Sequence, residues 1–134
     1  MKTVSLELIN ALKEKQDKIL ADVLAVAPQK EYLKDFADPA MLPMVAASFL
    51  QSINNALDSG NFTSFRSMIE WFFQMAKARN IANPLENNLD FLATVEEVVS
   101  KHLDVSLHEQ LEIFAKDLQE LFKDVYNNLP EQTV

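Results

Sequence analysis

Apolar residues recur along this chain at spacings of three and four, which is the period of one helix face, and not at the alternating spacing of a strand. Proline and glycine separate the stripes, because proline disfavours helical geometry in the residue before it and glycine readily adopts the left-handed conformation that ends a helix. The pattern predicts five long helices, one short helix and no sheet. The predicted ranges are Ser5–Ala27, Gln29–Phe36 (the short one), Pro39–Asp58, Phe62–Ala76, Pro84 to His102 or Asp104, and Leu107–Val125.

Capping residues mark several of these boundaries. Asp38 and Asn83 each precede a proline, a pair that starts a helix because the side chain accepts from free amides and the proline needs no amide partner in the first turn. Gly60 is expected to end one helix and Asn61 to cap the next. Residues 106–109, Ser-Leu-His-Glu, fit a capping box for the last helix.

Short connections between apolar-faced helices predict an all-α bundle, with residues 1–134 forming a single domain. Two geometries satisfy the pattern. An up-down bundle packs its helices near 20°, whereas a globin-like arrangement crosses them near 50°. The prolines and the unequal helix lengths favour the globin-like bundle.

Composition excludes several classes of function. Twenty acidic and 12 basic residues give a net charge of −8, so nucleic acid is not an expected partner. The absence of cysteine excludes disulfides and thiolate sites, and a single glycine excludes glycine-rich phosphate loops. The longest mainly apolar stretch, Pro39–Leu50, is shorter than the roughly 20 residues that cross a bilayer, and the N-terminus lacks a signal-peptide pattern. We expect a cytoplasmic protein without membrane insertion.

The two histidines, His102 and His108, are the first candidates for chemistry. A metal pair would take its third ligand from Glu97, Asp104 or Glu109, but no HExxH motif occurs. Histidine phosphotransfer modules place a lysine and a small residue soon after their histidine, and neither histidine here has them. The histidines are predicted to lie at helix ends, with no metal bound.

Carboxylates and serine are the remaining catalytic candidates. The pairs Glu96–Glu97 and Glu109–Glu112 lie on polar helix faces, where a carboxylate keeps its ordinary acidity. Ser100 lies inside a predicted helix, without the sharp turn that exposes a nucleophile. The sequence therefore predicts no catalytic residue and a protein that is not an enzyme.

Phenylalanine and methionine are more abundant than a plain aliphatic core requires, with nine and five residues. Both pack adaptably, so the pattern fits an ordinary core and also an apolar pocket for a chain-like ligand. An acidic ligand would need a cation or amide donor at the pocket mouth. The candidate anion anchors are Arg66, Lys77, Arg79 and His102.

The last two helices carry broad apolar faces. Burial within one subunit explains them, and so does an isologous homodimer that pairs these two helices with their copies. The candidate dimer face contains Phe91, Val98, Leu121 and Phe122.

Three passages carry a resemblance to a known family: Leu57–Phe62 (Leu-Asp-Ser-Gly-Asn-Phe), Ala76–Pro84 (Ala-Lys-Ala-Arg-Asn-Ile-Ala-Asn-Pro) and the amphipathic run to Leu103. Together they resemble the heme-less globin-like sensor domains of RsbR-type stressosome proteins and of bacillus sporulation kinases. The matched region covers about 50 of the 134 residues. Asn80 stands at a turn position where the family more often has glycine.

The resemblance implies a non-catalytic sensory domain. Heme is not expected, because the turn from Asn80 to Asn83, which replaces the heme-binding helix, contains no histidine. The family implies a dimer through the last two helices and, in its kinase-associated members, an apolar tunnel for a fatty acid with a small anion nearby. Mapped onto this chain, the pocket residues are Phe49, Ile53, Phe65, Met68, Ile69, Phe72, Leu92, Val95, Val99, Phe114 and Leu118.

Stand-alone copies of such kinase sensor domains inhibit sporulation by competing for the kinase's signal. The resemblance therefore implies that this chain binds a fatty-acid-like ligand and modulates a bacterial sensor histidine kinase by sequestering that ligand. The alternative is a dimeric helical scaffold or stressosome-type regulatory domain that acts only through protein–protein contacts.

Overall fold

A computed structural model of the chain describes residues 3–32 and 39–129. Within them the protein is all-α, without a strand. Six α-helices follow one another, with short 3-10 turns before the third and the sixth and after the second. They are α1 (Leu6–Glu14), α2 (Gln16–Val26), α3 (Leu42–Ser59), α4 (Thr63–Ala78), α5 (Pro84–His102) and α6 (His108–Asn127).

The first predicted helix is two helices. Ser5 caps α1 by accepting from the amide of Leu8 at 3.2 Å, but Lys15 leaves helical geometry at φ −103° and ψ 10°. Long-range bonds at this break explain it, because Lys15 Nζ donates to the carbonyl of His102 at 2.6 Å and the Gln16 side chain accepts from Asn54. Local periodicity does not reveal either partner.

The segment between α2 and α3 also departs from the prediction. Pro28 lies in a 3-10 turn, Ala27–Gln29, and residues 30–32 continue as bend and turn, so the short helix predicted from Gln29 is absent as far as Tyr32. Residues 33–36 and Asp38 lie outside the described residues. Pro39–Met41 form a 3-10 turn, and α3 begins at Leu42 with a proline in its first turn.

Four predicted helix boundaries have mixed outcomes. Gly60 ends α3 at φ +74°, as predicted. The Asn61 side chain accepts from the amide of Thr63 at 3.0 Å, but Phe62 and not Asn61 occupies the N-cap position of α4. The helix after Asn83 begins where expected, but Asn83 itself is left-handed and its side chain makes no cap. The capping box at residues 106–109 is wrong, since a 3-10 turn precedes α6 and no side-chain cap forms there.

One hydrophobic cluster takes side chains from all six helices. Its centre is aromatic. Phe49 of α3 packs edge-on against Phe65 and Phe91, with ring centroids 5.5 and 5.3 Å apart, and stacks on Phe122. Such pairs add about 0.5–1.5 kcal/mol each beyond the area that they bury.

Candidate functional site

The most apolar cavity among the described residues lies beside this aromatic centre, where the α1–α2 break faces α3, α5 and α6. Its volume is about 30 Å³, which accommodates about two water molecules. Its lining is almost entirely apolar. The lining residues are Leu12, Gln16, Ile19, Leu50, Ile53, Asn54, Leu92, Val95, Glu96, Val99, Leu111, Phe114, Ala115 and Leu118.

Three polar side chains interrupt that lining: Gln16, Asn54 and Glu96. Asn54 Nδ2 donates to Gln16 Oε1 at 2.7 Å, which joins α2 to α3 across the cavity wall. Burial raises the pKa of the Glu96 carboxyl, and the nearby carboxylate of Glu112 raises it further, while Lys116 acts in the opposite direction. The cavity therefore offers neutral amide groups and one carboxyl whose pKa is raised by burial.

Six of the predicted pocket residues line this cavity: Ile53, Leu92, Val95, Val99, Phe114 and Leu118. The other five lie elsewhere. Phe49, Phe65 and Ile69 are fully buried core residues, with Phe49 and Phe65 in direct ring contact. Phe72 lines a separate cavity of about 20 Å³ near the start of α5, and the partly exposed Met68 accepts a hydrogen bond from Ser52.

None of the four candidate anion anchors lines the cavity. Arg66 pairs with Asp124 at 2.7 Å, Arg79 donates to Met41 Sδ at 3.3 Å, and Lys77 is exposed on α4. His102 Nε2 lies 2.5 Å from Asp22 Oδ2. The structure therefore does not bring these four residues together at this cavity.

The prediction that four side chains of the last two helices form a dimer face is also wrong. Phe91, Val98, Leu121 and Phe122 are at most 7% exposed and belong to the core of one subunit. They face the other helices of their own chain, so they do not form an outer surface for a second copy. Dimer formation itself stays a prediction.

Both histidines lie where α5 ends, as predicted. His108 Nε2 lies 2.9 Å from the carbonyl of Ser100 and 3.3 Å from that of Leu103, so the ring caps the end of the helix, with this nitrogen protonated to donate. Across residues 3–32 and 39–129, no group of three or more histidines and acidic residues is placed to hold a metal ion.

Sequence reasoning missed Gln16 and Asn54 and placed Glu96 on a polar helix face with ordinary acidity, whereas the structure places Glu96 at the cavity with a raised pKa. A signal for all three exists. Each occupies an apolar stripe position: Gln16 follows Leu12 by four, Asn54 follows Leu50 by four, and Glu96 follows Leu92 by four. A polar residue within an apolar stripe indicates a functional site more strongly than one on a polar face. The free-energy cost of burying it must be offset by a hydrogen bond or, for a carboxylate, by protonation.

A second feature is the outer surface of the α3–α4 pair, which we call the α3–α4 face. The residues of this face are uncharged and include Trp71, 47% exposed, and Met44, 50% exposed. The face comprises Met44, Ser48, Gln51, Ser52 and Asn55 of α3 with Ser64, Ser67, Met68, Trp71, Gln74, Met75 and Ala78 of α4.

No protein family model matches this chain, and comparison with curated proteins and with solved structures found no significant match. Among the described helices, none has both the length and the apolar character that a membrane span requires.

Proposed function

We propose that this chain is a non-catalytic sensory domain that binds a fatty-acid-like apolar ligand in the cavity between the α1–α2 break, α3, α5 and α6. The observation that supports it is the lining: an apolar wall from five helices, with the amides of Gln16 and Asn54 and the carboxyl of Glu96 at its edge. Ligand sites commonly combine an apolar cavity with a few polar groups.

The polar groups favour a neutral head group on the ligand. Among the described residues no cationic side chain lines the cavity, and an ionised ligand carboxylate would meet the like charge of an ionised Glu96. A protonated fatty acid or a fatty alcohol avoids that repulsion and hydrogen-bonds to the amide side chains. Binding of a fatty acid should therefore strengthen as the pH falls toward its own pKa.

The cavity must widen to hold a chain-like ligand, since about 30 Å³ is far below the roughly 300 Å³ at which small-molecule sites begin. We expect α1 to be the helix whose displacement widens the cavity. It has nine residues, buries only Leu8 and Leu12, and is joined to α2 at the non-helical Lys15. Displacement of α1 would report that the cavity is occupied.

The test is lipid extraction of the purified protein followed by mass spectrometry, with thermal unfolding in the presence of C8 to C16 fatty acids and alcohols. A ligand at 100 times its Kd adds about 2.7 kcal/mol to the free energy of unfolding. We expect a rise in Tm for wild type, abolished by Ala115→Leu, which fills the cavity. The control Ala93→Leu makes the same change at an exposed site of the same bundle and should respond like wild type.

Absence of an extracted lipid together with an unchanged Tm would contradict the proposal that the protein binds such a ligand.

The resemblance to heme-less globin-like sensor domains supports two further parts of the proposal. These are a globin-like crossing of the helices and action on a sensor histidine kinase by competition for its ligand. Expression in a sporulating bacillus should lower the spore yield, and Ala115→Leu should restore it.

A second candidate is a dimeric helical scaffold or stressosome-type regulatory domain that works only through protein contacts. The α3–α4 face favours it, because depletion of charge and enrichment in Trp and Met are features of interface cores. This candidate predicts partner binding that is unaffected by added fatty acid and by Ala115→Leu.

A further inference from the structure

The charges of this protein are distributed unevenly between its two halves. Residues 84–127, which form α5 and α6, contain ten acidic and three basic residues, whereas residues 39–83, which contain α3 and α4, have two acidic and three basic. The net charge of −8 is therefore concentrated on the α5–α6 side of the molecule. A second copy approaching that side would meet like charge.

The few charges near α3 and α4 lie beside the α3–α4 face rather than on it. Arg66, Glu70 and Lys77 recur at i, i+4 and i+11, on one stripe of α4, and Arg66 pairs with Asp124 of α6 at 2.7 Å. That stripe therefore borders α6. On α3, the single charged residue is Asp58, which pairs with Lys13 at 2.7 Å.

Apolar side chains occupy the centre of the α3–α4 face. Met68, Trp71 and Met75 follow one another at spacings of three and four on α4, and Ser52 of α3 donates to Met68 Sδ at 3.0 Å across the seam between the helices. The Trp71 ring contacts the ring of the buried Phe72 at a tilt of 49°, with centroids 5.5 Å apart, while about half of Trp71 remains exposed. Tryptophan anchors of this kind dominate binding energy at interfaces.

We propose that the α3–α4 face is the surface through which two copies of this chain associate, as an isologous dimer. An isologous interface places the same patch of both subunits in contact, so a charge-free patch is self-complementary. Two copies joined here bury no carboxylate, and the ten acidic residues of each α5–α6 half stay in water.

The flat footprint of the two helices is that of a small interface. Helices of 18 and 16 residues are about 27 and 24 Å long, and two side by side are about 20 Å wide. The flat footprint is about 500 Å² before side-chain relief is counted, and a standard interface takes about 800 Å² of accessible surface from each partner. The inference does not depend on the proposed ligand.

The test is sedimentation equilibrium of the full chain over a concentration series, with emission from Trp71, the single tryptophan, recorded in parallel. We expect a monomer–dimer equilibrium accompanied by a blue shift of the emission as the dimer forms. Trp71→Lys should weaken dimerisation at least tenfold. The matched control Val105→Lys places the same charge at a residue that is 81% exposed and outside the face, and should dimerise like wild type.

Cross-linking identifies the surface independently, since the chain has no native cysteine. We expect a bis-maleimide to link Ser67→Cys, on the face, into covalent dimers and to leave Lys116→Cys, exposed on α6, monomeric. A monomeric wild type at all concentrations would overturn the proposal and assign the face to a different protein. A dimer unaffected by Trp71→Lys, or cross-linked through position 116 instead, would also overturn it.

Discussion

Two asparagines adopt the left-handed conformation that is usually left to glycine, and one of them completes a defined helix end. Asn80 has φ +55°. Its backbone amide donates to the carbonyl of Lys77, and the amide of Ile81 donates to the carbonyl of Ala76 at 3.0 Å. These two bonds are the Schellman motif that closes α4. Asn80 is the turn position at which the sensor family that the chain resembles more often has glycine.

Asn80→Gly should stabilise the protein, because glycine adopts positive φ without the steric cost that a Cβ imposes. Asn80→Ala should destabilise it by about 1 kcal/mol, since alanine lacks the local hydrogen bonding that lets asparagine tolerate this region. Urea unfolding of the two variants beside wild type measures both changes. Equal stability of the glycine and alanine variants would contradict the left-handed assignment.

Glu96 gives the stability of the protein a pH dependence. Its pKa is raised in the folded state by burial and by Glu112, so the folded protein holds this proton to higher pH than the unfolded chain does. The resulting stabilisation is fully present below the ordinary pKa of glutamate, and it is lost as the pH rises through the folded-state pKa. Glu96→Gln removes the ionisation.

We therefore expect the stability of Glu96→Gln relative to wild type to increase as the pH rises from about 4, near the ordinary glutamate pKa, to 7. The measurement is urea unfolding across that range. Glu109→Gln, at an exposed position on the first turn of α6, is the control and should not reproduce the trend. Parallel profiles for the two variants would show that Glu96 titrates alike in both states.

At the level of elements, the apolar period predicted the existence of the long helices, while their ends depended on tertiary partners. Ser5 and Ser106 both precede an apolar helix, but only Ser5 caps one. The His108 ring instead joins the start of α6 to the end of α5. A cap signal in the sequence is therefore not sufficient, and the path of the chain decides which of these signals form caps.

Ser5→Ala should lower the free energy of unfolding by about 1 kcal/mol, the usual cost of a lost N-cap. Ser106→Ala should change it by less than about 0.5 kcal/mol, as expected of an exposed residue without a structural role. Chemical denaturation of the pair measures both. If Ser106→Ala lowered the free energy of unfolding as much as Ser5→Ala does, Ser106 would act as a cap, contrary to the structure.

The molecule as a whole combines a tightly packed aromatic centre with a small void beside it. Val98 and Val99 are neighbours on α5 and are at most 3% exposed, but only Val99 lines the void. The same added methylene should therefore have opposite effects at the two positions. The void beside Val99 can accommodate the added methylene, whereas at Val98 the surrounding core side chains must shift to make room for it.

Val99→Ile should be neutral or stabilising by up to about 0.8 kcal/mol, the value of one buried methylene. Val98→Ile should cost about 1–3 kcal/mol through overpacking. Thermal and urea unfolding distinguish these outcomes. If Val99→Ile were the more destabilising of the two, the cavity would not be where the structure places it.

The sequence by itself determined the all-α class and most of the helices, because helical periodicity is a local property that neighbouring residues encode. The six assigned pocket residues that line the cavity came from the resemblance to the sensor family and not from periodicity. Tertiary structure alone decided that Phe49 and Phe65 fill the centre, that Phe91 and Phe122 face inward, and that Gln16, Asn54 and Glu96 meet around one void. The period of a helix identifies which residues share a face but not which other helix covers it. That choice depends on crossing geometry and on bonds between distant residues such as Lys15 and His102, which no local pattern records.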